Sequence, residues 1–378
     1  MSSVNFLEKL LDGVEVEWKT LGQTCKIETG KLNANAAVDD GEYMFFTTAK
    51  ETSKIDKFRW DTEALLIAGN ANVGEVKHYI GKFEAYQRTY VLTNFDEKVS
   101  VRFLYFVLSH SLKKYLEERT NSAAMTYIVL STLENFPIPI PCPGNPQKSL
   151  AIQSEIVRIL DKFTALTAEL TAELAARKKQ YNYYRDQLLS FEGKEVEWRA
   201  LGEVLNMRAG QHISASKIMS SPNDECSYPC FGGNGVRGFV KDKSHNGEHL
   251  LIGRQGALCG NVQRMKGMFY ATEHAVVVTA GNEIDVDWAF HMLSAMNLNQ
   301  YASQSAQPGL AVGKIQTLKI PLPCIETQKK TAKILDKFDT LTNSITEGLP
   351  REIELRQKQY EYYRDLLFSF PKPDSVTN

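Results

Sequence analysis

Several glycine-rich loops of this sequence carry side chains that could recognise the edges of nucleic-acid bases. A base edge is read by forked donors and acceptors, arginine for guanine and asparagine or glutamine for adenine. Neighbouring glycines let the backbone approach a ligand closely. Loops of this kind predict contacts from Asn70, Asn72, Tyr86, Gln87 and Arg88, with Lys77 available for phosphate, and from Asn234, Arg237, Arg254, Gln255, Gln304 and Gln307. For each residue, ordinary hairpin-turn chemistry is a sufficient alternative.

The charge balance does not by itself indicate a nucleic-acid partner. The 378 residues carry a net charge of −1, whereas proteins that neutralise phosphates usually have a basic surface. One stretch, 236–268, has a local excess of basic residues: Arg237, Lys241, Lys243, Arg254, Arg264 and Lys266, against Asp242 and Glu248. A solvated charged face explains this stretch as well as a DNA-binding patch does.

Two glycine motifs resemble enzyme sites but lack the residues that the chemistry needs. Phe231–Gly235 fits the Phe-x-Gly-x-Gly of an S-adenosylmethionine site, yet the chain has no Asn/Asp-Pro-Pro-aromatic catalytic tetrapeptide. Gly309–Lys314 is one residue short of a phosphate-binding loop, and Ile315 stands where serine or threonine would meet Mg²⁺. We interpret the second motif as a turn and expect no catalytic residue.

Metal and redox chemistry are not predicted either. The seven histidines have neither metalloprotease nor deaminase spacing, and Cys226 and Cys230 are not followed by a second pair. The chain also has no apolar run of membrane-spanning length, and its N-terminus does not resemble a secretory signal. We therefore expect a cytoplasmic protein that binds no metal or cofactor.

The elements that must position the candidate residues occur twice. The repeated motifs are Glu15–Gly22 with Glu195–Gly202, Ile159–Phe163 with Ile334–Phe338, and Gln180–Asp186 with Gln359–Asp365. Between these motifs lie two regions, 15–145 and 195–325, that barely resemble each other. One scaffold has been duplicated and carries two different recognition regions.

Both variable regions combine strand and helix patterns. Short β-type runs bounded by Gly, Asn and Asp predict strands at Leu65–Ala68, Tyr90–Thr93, Leu250–Ile252 and Ala275–Thr279. One helix is predicted in each region, at Val101–Leu116 and Trp288–Tyr301. Each region closes with alternating prolines, Pro137–Pro141 and Pro321–Pro323, which predict extended exits.

A long helix comes after each exit. Apolar residues recur every three or four positions from Ser149 to Phe191, which predicts one helix of roughly 65 Å. A single apolar stripe needs a partner, and the repeat at Glu326–Phe370 is the obvious one. Gly348 and Pro350 predict a break in that second helix. Separate packing of the two helices onto the variable regions is the alternative.

A tandem tetrapeptide lies within the first helix. Thr167–Leu170 and Thr171–Leu174 both read Thr-Ala-Glu-Leu. Four helical residues add about 6 Å and rotate the rest of the helix by about 40°. The repeat could therefore act as a ruler that sets the distance between the two recognition regions, and its marker residues are Thr167, Leu170, Thr171 and Leu174. An alanine-rich helix with no metrical role is the alternative.

These repeated motifs resemble the specificity subunits of type I restriction-modification systems, and among them the type IC branch. The resemblance rests on Leu160–Phe163, the Thr-Ala-Glu-Leu pair, Gln180–Asp186 and Val16–Trp18, with their repeats. It implies an α+β protein with two mixed α/β target-recognition domains, separated by two long helices that form an antiparallel coiled coil in a pseudo-two-fold repeat. The expected limits are 1–14 for a segment that completes the frame, 15–145, 146–194, 195–325 and 326–378.

The resemblance also implies function and partners. Such a chain is non-catalytic and reads an asymmetric bipartite site in double-stranded DNA, one half with each domain. Two modification subunits, which use S-adenosylmethionine, would methylate adenine at N6. Added restriction subunits would use ATP and Mg²⁺ to translocate and cleave unmethylated DNA. A self-contained methyltransferase, a coiled-coil adaptor that does not bind DNA and a stand-alone bipartite repressor are the alternatives.

Overall fold

The computed structural model describes residues 10, 13–119, 127–193, 195–256, 258–304 and 308–371. The chain forms two compact units, Met1–Glu169 with Glu354–Asn378, and Leu170–Ile353. Most of the predicted segment 1–14, including nearly all of Phe6–Leu11, lies outside the described residues, and so does Gln307. The five predicted domain limits stay predictions, because the compact units divide the chain inside a helix.

The first unit contains a six-stranded sheet in the order β2-β7-β5-β6-β3-β4. These strands are β2 (Lys26–Thr29), β3 (Tyr43–Phe46), β4 (Ser53–Ile55), β5 (Trp60–Ala68), β6 (Val76–Ala85) and β7 (Thr89–Thr93). Alternate residues of β5 enter two apolar clusters, Leu65 and Ile67 on one face and Ala64 and Leu66 on the other. This two-residue period results from the strand pleat, so both faces of the sheet are covered.

A separate two-stranded sheet joins the ends of the first variable region. β1 (Val16–Thr20) pairs antiparallel with β8 (Pro137–Pro141). Alternate residues of a strand point their N–H groups away from a single partner, so β8 tolerates a proline at every second position. The proline exits are therefore extended, as predicted, and they are also paired strands.

The second unit repeats this plan. Its six-stranded sheet has the order β10-β15-β13-β14-β11-β12, and β9 pairs with β16. The strands are β9 (Glu197–Ala200), β10 (Leu205–Ala209), β11 (Tyr228–Gly232), β12 (Gly235–Val240), β13 (His245–Gly253), β14 (Val262–Ala271), β15 (Ala275–Ala280) and β16 (Lys319–Leu322). Each strand corresponds to one in the first unit, which confirms the duplicated α+β architecture.

Five longer helices accompany the sheets. They are α1 (Val101–Arg119), α2 (Pro146–Leu189), α3 (Val286–Ala295), α4 (Ile325–Asn343) and α5 (Leu349–Leu367). Short helices occupy Leu21–Thr24, Leu130–Glu134, Leu201–Val204 and Val312–Gln316, and 3₁₀ turns occupy Ala34–Ala36, Ala215–Lys217 and Leu298–Tyr301. None of the helices in the described part of the chain is both long and apolar enough to cross a membrane.

The long helix α2 pairs with its own repeat in each unit. In the first unit the ring of Phe163 stacks on Tyr363 of α5, with centroids 5.4 Å apart. In the second unit the ring of Tyr184 stacks on Phe338 of α4 at 5.6 Å. α4 and α5 are separate helices, and Gly348 between them has φ +81°, a conformation that glycine adopts without strain. The antiparallel supercoil itself stays a prediction.

Two local predictions were wrong. The helix predicted over Trp288–Tyr301 ends at Ala295, because Asn297 takes the left-handed conformation with φ +46° and a 3₁₀ turn begins after it. The segment Gly309–Lys314 is not a turn. Gly309 forms a β-bridge with Gln255, and Val312 begins the short helix.

Candidate nucleic-acid interface

In the first unit, three loops meet at one end of the six-stranded sheet. The backbone N–H of Gly69, after β5, donates to the carbonyl of Arg88 in the β6–β7 turn at 2.8 Å. The N–H of Ile128 donates to the carbonyl of Gly69 at 2.8 Å. Asn70 forms a β-bridge with Tyr127. The backbone thus fixes the positions from which Asn70 and Arg88 project.

The second unit makes the same hydrogen bonds with different residues. The N–H of Arg254 donates to the carbonyl of His274 at 3.0 Å, and the N–H of Leu310 donates to the carbonyl of Arg254 at 2.8 Å. The β-bridge between Gln255 and Gly309 takes the place of the Asn70 bridge. Gln255 is therefore structurally equivalent to Asn70, and His274 to Arg88. We call this shared arrangement the loop frame.

The loop frame brings together the first-unit candidates of the β6–β7 turn. Gln87 and Arg88 are exposed there, and Tyr86 is half-buried beside them. Asn70 lies next to this turn, and its side-chain oxygen is buried without a hydrogen-bond partner in the described structure. Exposed forked groups beside an unsatisfied amide can form hydrogen bonds with base edges.

Two other first-unit candidates are already engaged. The side-chain amide of Asn72 donates to the carbonyl of Thr48 at 2.7 Å. The amine of Lys77 donates to the carbonyls of Ala49 at 2.8 Å and Lys50 at 2.7 Å. These bonds attach the β3–β4 loop to the sheet, so both side chains support a loop in the described structure. Their predicted contacts to DNA remain untested.

In the second unit, Asn234, Arg237 and Gln255 line one groove of about 480 Å³ together with His274. All three predicted side chains are exposed. The groove depends on glycine, because a β-carbon on Gly253 would lie 2.0 Å from the carbonyl oxygen of Gly233. The structure thus brings these three candidates together on glycine-rich loops, and their contacts to DNA stay a prediction.

Two further second-unit candidates, Arg254 and Gln304, do not line that groove. The guanidinium of Arg254 donates to the carbonyl of Glu273 at 3.5 Å, and its Nε is buried without a partner in the described residues. Gln304 is exposed after the 3₁₀ turn, outside the groove lining. Gln307 is not among the described residues.

The motif that resembles an S-adenosylmethionine site is a β-hairpin. Gly232 and Gly235 pair across β11 and β12, and Gly233 and Asn234 form the two-residue turn between them. Gly235 has φ +100°. A hairpin turn presents its side chains to solvent and does not lead into a helix, so this glycine run gives no support to a self-contained methyltransferase.

The basic stretch 236–268 is not one patch. Arg264 points to the helices of its unit, where it bonds to Asp336 of α4 and lies 3.2 Å from Asp287. His291 Nε2 lies 2.8 Å from the same Asp336 carboxylate. Burial lowers the pKa of His291 below its ordinary value. Of the six basic residues, Arg237 is the one that lines the groove.

The first unit has a matching anchor that the sequence reasoning missed. Arg102 of α1 donates through Nε to Asp161 at 3.0 Å, and its guanidinium lies 3.4 Å from His78. Asp161 and Asp336 both belong to the repeated Leu-Asp-Lys-Phe. That repetition was the available signal, because the aspartate recurs at the same position of both copies of the motif.

A second matched anchor consists of two fully buried glutamines. Gln153 accepts from the N–H of Ser100 at 2.8 Å and donates to the carbonyl of Lys98 at 2.9 Å. Gln328 accepts from the N–H of Asp285 at 2.8 Å and donates to the carbonyl of Glu283 at 3.1 Å. Each glutamine fixes the start of the recognition-region helix to a long helix.

The repeated Gln-Tyr-x-Tyr-Tyr-Arg-Asp motif exposes one tyrosine pair in each unit. Tyr183 and Tyr184 of α2 have ring centroids 5.4 Å apart, and Tyr362 and Tyr363 of α5 have centroids 5.3 Å apart. All four rings are exposed. Tyrosine is enriched at protein–protein interfaces, so each pair is a candidate docking surface.

Exposed arginine, asparagine and glutamine side chains on the loops of two duplicated sheets are typical of proteins that recognise DNA. The family model for "Type I restriction modification DNA specificity domain" matches residues 13–177 and 193–355. The chain belongs to this family. It is a non-catalytic subunit that gives a type I restriction-modification enzyme its DNA specificity, and it acts with DNA and with other subunits.

Named relatives agree with this assignment. The chain is 52% identical to the type I restriction enzyme EcoprrI specificity subunit of Escherichia coli, covering 92% of this chain and 93% of the relative. It is 39% identical to the EcoR124I/EcoR124II specificity subunit of Escherichia coli over the whole of both chains. The solved S subunit from M. genitalium superposes with a TM-score of 0.68 at 17% identity, covering 96% and 98% of the two chains, and it shares the fold.

Proposed function

We propose that this chain reads an asymmetric bipartite site in double-stranded DNA, one half-site with each unit, as the specificity subunit of a cytoplasmic type IC system. The observation that carries the proposal is the loop frame. The same backbone hydrogen bonds present Asn70 and Arg88 in one unit and Gln255 and His274 in the other. Equivalent positions with different side chains read different sequences.

Each tyrosine pair would receive one modification subunit. Because the motif and its exposure are repeated, the chain offers two equivalent surfaces and would bind two copies of one partner. Those partners would bind S-adenosylmethionine and methylate adenine at N6, and restriction subunits would add ATP- and Mg²⁺-dependent translocation and cleavage. This chain would bind none of these cofactors itself.

The continuous helix α2 would set the spacing between half-sites. Thr167, Leu170, Thr171 and Leu174 all lie within its 44 residues. The hydroxyl of Thr167 donates to the carbonyl of Phe163 at 2.9 Å, one turn earlier, so this part of the repeat is bonded within the helix. A continuous helix of 44 residues would span roughly 65 Å and can act as a spacer.

Affinity would come partly from the partners, because the chain is nearly neutral. DNA binding by the isolated chain is expected to be weak and strongly salt-dependent, with tight specific binding only in the presence of the modification subunits. Competition binding with and without those subunits, at two salt concentrations, tests this. Equal specific affinity with and without the modification subunits would contradict the proposal that those subunits supply part of the DNA affinity.

The direct test is genome-wide mapping of N6-methyladenine in a methylation-free host that expresses this chain with its modification subunit. One bipartite motif with a methylated adenine in each half supports the proposal. An assembled complex that produces no new motif would contradict it and would favour the coiled-coil adaptor. Substituting Tyr183→Ala or Tyr362→Ala should reduce the bound modification subunits from two to one, measured by native mass spectrometry.

A further inference from the structure

The groove in the second unit contains unused hydrogen-bonding capacity. Within the described part of the chain, the side chains of Asn234, Arg237 and Gln255 have no hydrogen-bond or ion-pair partner, although all three line the same groove. Most arginines elsewhere in the structure are paired, as Arg264 is with Asp336. An exposed, unpaired guanidinium beside two free amides is a donor-rich surface.

Two side chains at the groove, His274 and Glu273, also have polar atoms without a hydrogen-bond partner among the described residues. His274 lines the groove, and its Nδ1 is buried without a partner in the described part of the chain. The adjacent Glu273 has one unpaired buried oxygen, and its other oxygen lies 3.0 Å from His212 Nδ1. Buried polar atoms are nearly always bonded, so unpaired ones beside a groove can bond to a ligand that enters it.

The backbone holds the guanidinium in place. A β-carbon on Gly232 would lie 2.6 Å from Cδ of Arg237, so the arginine side chain crosses directly over this glycine. Gly233 and Asn234 make a two-residue hairpin turn, which allows little movement between β11 and β12. Arg237 is therefore positioned at the groove by the strand pairing.

We propose that this groove is the guanine-reading site of the second half-site, with the Arg237 fork donating to guanine O6 and N7 in the major groove. This inference rests on the proposed function and assigns one base within it. A planar fork matches the two acceptors of guanine, whereas adenine offers an acceptor and a donor at the same edge. Gln255, which lines the same groove, would contact the neighbouring base pair.

The test uses the wild-type complex with its modification subunit and duplexes that carry the mapped motif. Each guanine of the second half-site is replaced in turn by 7-deazaguanine, which keeps Watson–Crick pairing but lacks the N7 acceptor. At one position the methylation efficiency should fall about 10-fold, within the range expected for a bidentate contact. The same replacements in the first half-site serve as the internal comparison.

Two substitutions then assign the contact. Arg237→Ala should lower methylation of the natural duplex about 10- to 100-fold, and 7-deazaguanine at the assigned position should cause no further loss. Arg237→Lys keeps the charge but not the planar fork, so its discrimination at the assigned guanine should lie between that of wild type and that of Arg237→Ala. If Arg237 contacts phosphate instead, Arg237→Ala would weaken methylation while 7-deazaguanine still caused its full loss, and the proposal is overturned.

The control is Arg208→Ala, an exposed arginine on β10 outside the groove lining. It should leave discrimination at every position unchanged. A 7-deazaguanine effect that persists undiminished in Arg237→Ala overturns the guanine assignment while the bipartite motif still stands. Absence of any bipartite motif in wild type would contradict the proposed function itself, so the two failures are distinguishable.

Discussion

The two recognition units share one loop frame and differ in the loop beside it. In the second unit the two-residue turn Gly233-Asn234 leaves a groove of about 480 Å³. In the first unit residues 47–52 form a longer loop between β3 and β4. Asn72 and Lys77 hold that loop against the sheet, and the cavity there is only about 10 Å³. Loops outside the frame can change without altering the fold, which allows the two units to read different half-sites.

The anchors to the long helices differ in the same way. Arg102, which meets Asp161, comes from α1, whereas Arg264, which meets Asp336, comes from β14. Each guanidinium also lies over an aromatic ring of its recognition-region helix, at 4.6 Å for Arg102 and 4.1 Å for Arg264. In both units an arginine meets the repeated aspartate, although a different element supplies the arginine.

The largest expected effect concerns the buried glutamine anchors. Gln328→Ala removes three hydrogen bonds, to Asp285, Glu283 and Pro323, and leaves buried backbone groups unpaired. We expect the second unit to lose about 3 kcal/mol of unfolding free energy. Gln153→Ala should do the same to the first unit.

Hydrogen exchange resolved by unit checks this comparison. The control is Gln357→Ala on the exposed face of α5, which should cost under about 0.5 kcal/mol. Destabilisation spread equally over both units by Gln328→Ala would show that the anchors do not act locally.

The next effect concerns base reading in the first unit. Arg88 is exposed at the position equivalent to His274, and it is the first-unit candidate with a forked cation. Arg88→Ala should relax discrimination in the first half-site by about 1–3 kcal/mol and leave the second half-site unchanged. Methylation kinetics on duplexes with single substitutions measure this. A change in the second half-site would contradict independent reading.

A smaller effect concerns the pH dependence of second-unit stability, which the anchor at Asp336 affects through His291. Burial lowers the pKa of His291, so the folded second unit resists a proton that the unfolded chain accepts. Its stabilising contribution is complete above the ordinary pKa of about 6.5 and is lost as pH falls through the lowered folded value. His291→Gln should flatten the decline of second-unit stability between about pH 7 and pH 5, measured by chemical denaturation. An unchanged pH profile would rule out His291 as its source.

The smallest change in DNA-binding energy should come from lengthening the Thr-Ala-Glu-Leu repeat of α2. A third Thr-Ala-Glu-Leu inserted after Leu174 adds about 6 Å to α2, which corresponds to between one and two base-pair steps of about 3.4 Å. The tolerated spacer should lengthen by about that amount, with both half-sites retained. Methylome mapping of the insertion variant measures the spacer directly, and an unchanged spacer would remove the metrical role of this repeat.

Much of the fold was predictable because its signals are local. Apolar periodicity predicted α2, the Gly348-Leu349-Pro350 sequence predicted the break after α4, and β-type runs predicted the central strands. The end of α3 was not predictable from periodicity, because it depends on one left-handed residue, Asn297.

The candidate site was predictable only in part. Loop composition identified Arg237 and Gln255, which line the same groove. It could not show that Lys77 is bonded to loop carbonyls or that Arg264 faces the helices, because both depend on contacts between residues distant in sequence. His274 was missed because a histidine in a hairpin turn carries no local signal for its equivalence to Arg88.

The most direct test of independent half-site reading is methylome mapping of a chimera in which residues 195–325 replace residues 15–145, expressed with the modification subunit. Both units would then carry the same recognition region next to the unchanged long helices. We predict a symmetric bipartite motif whose two halves both match the second half-site of the wild-type motif. An assembled chimera that methylates an asymmetric motif, or one sharing no half with wild type, would contradict independent reading.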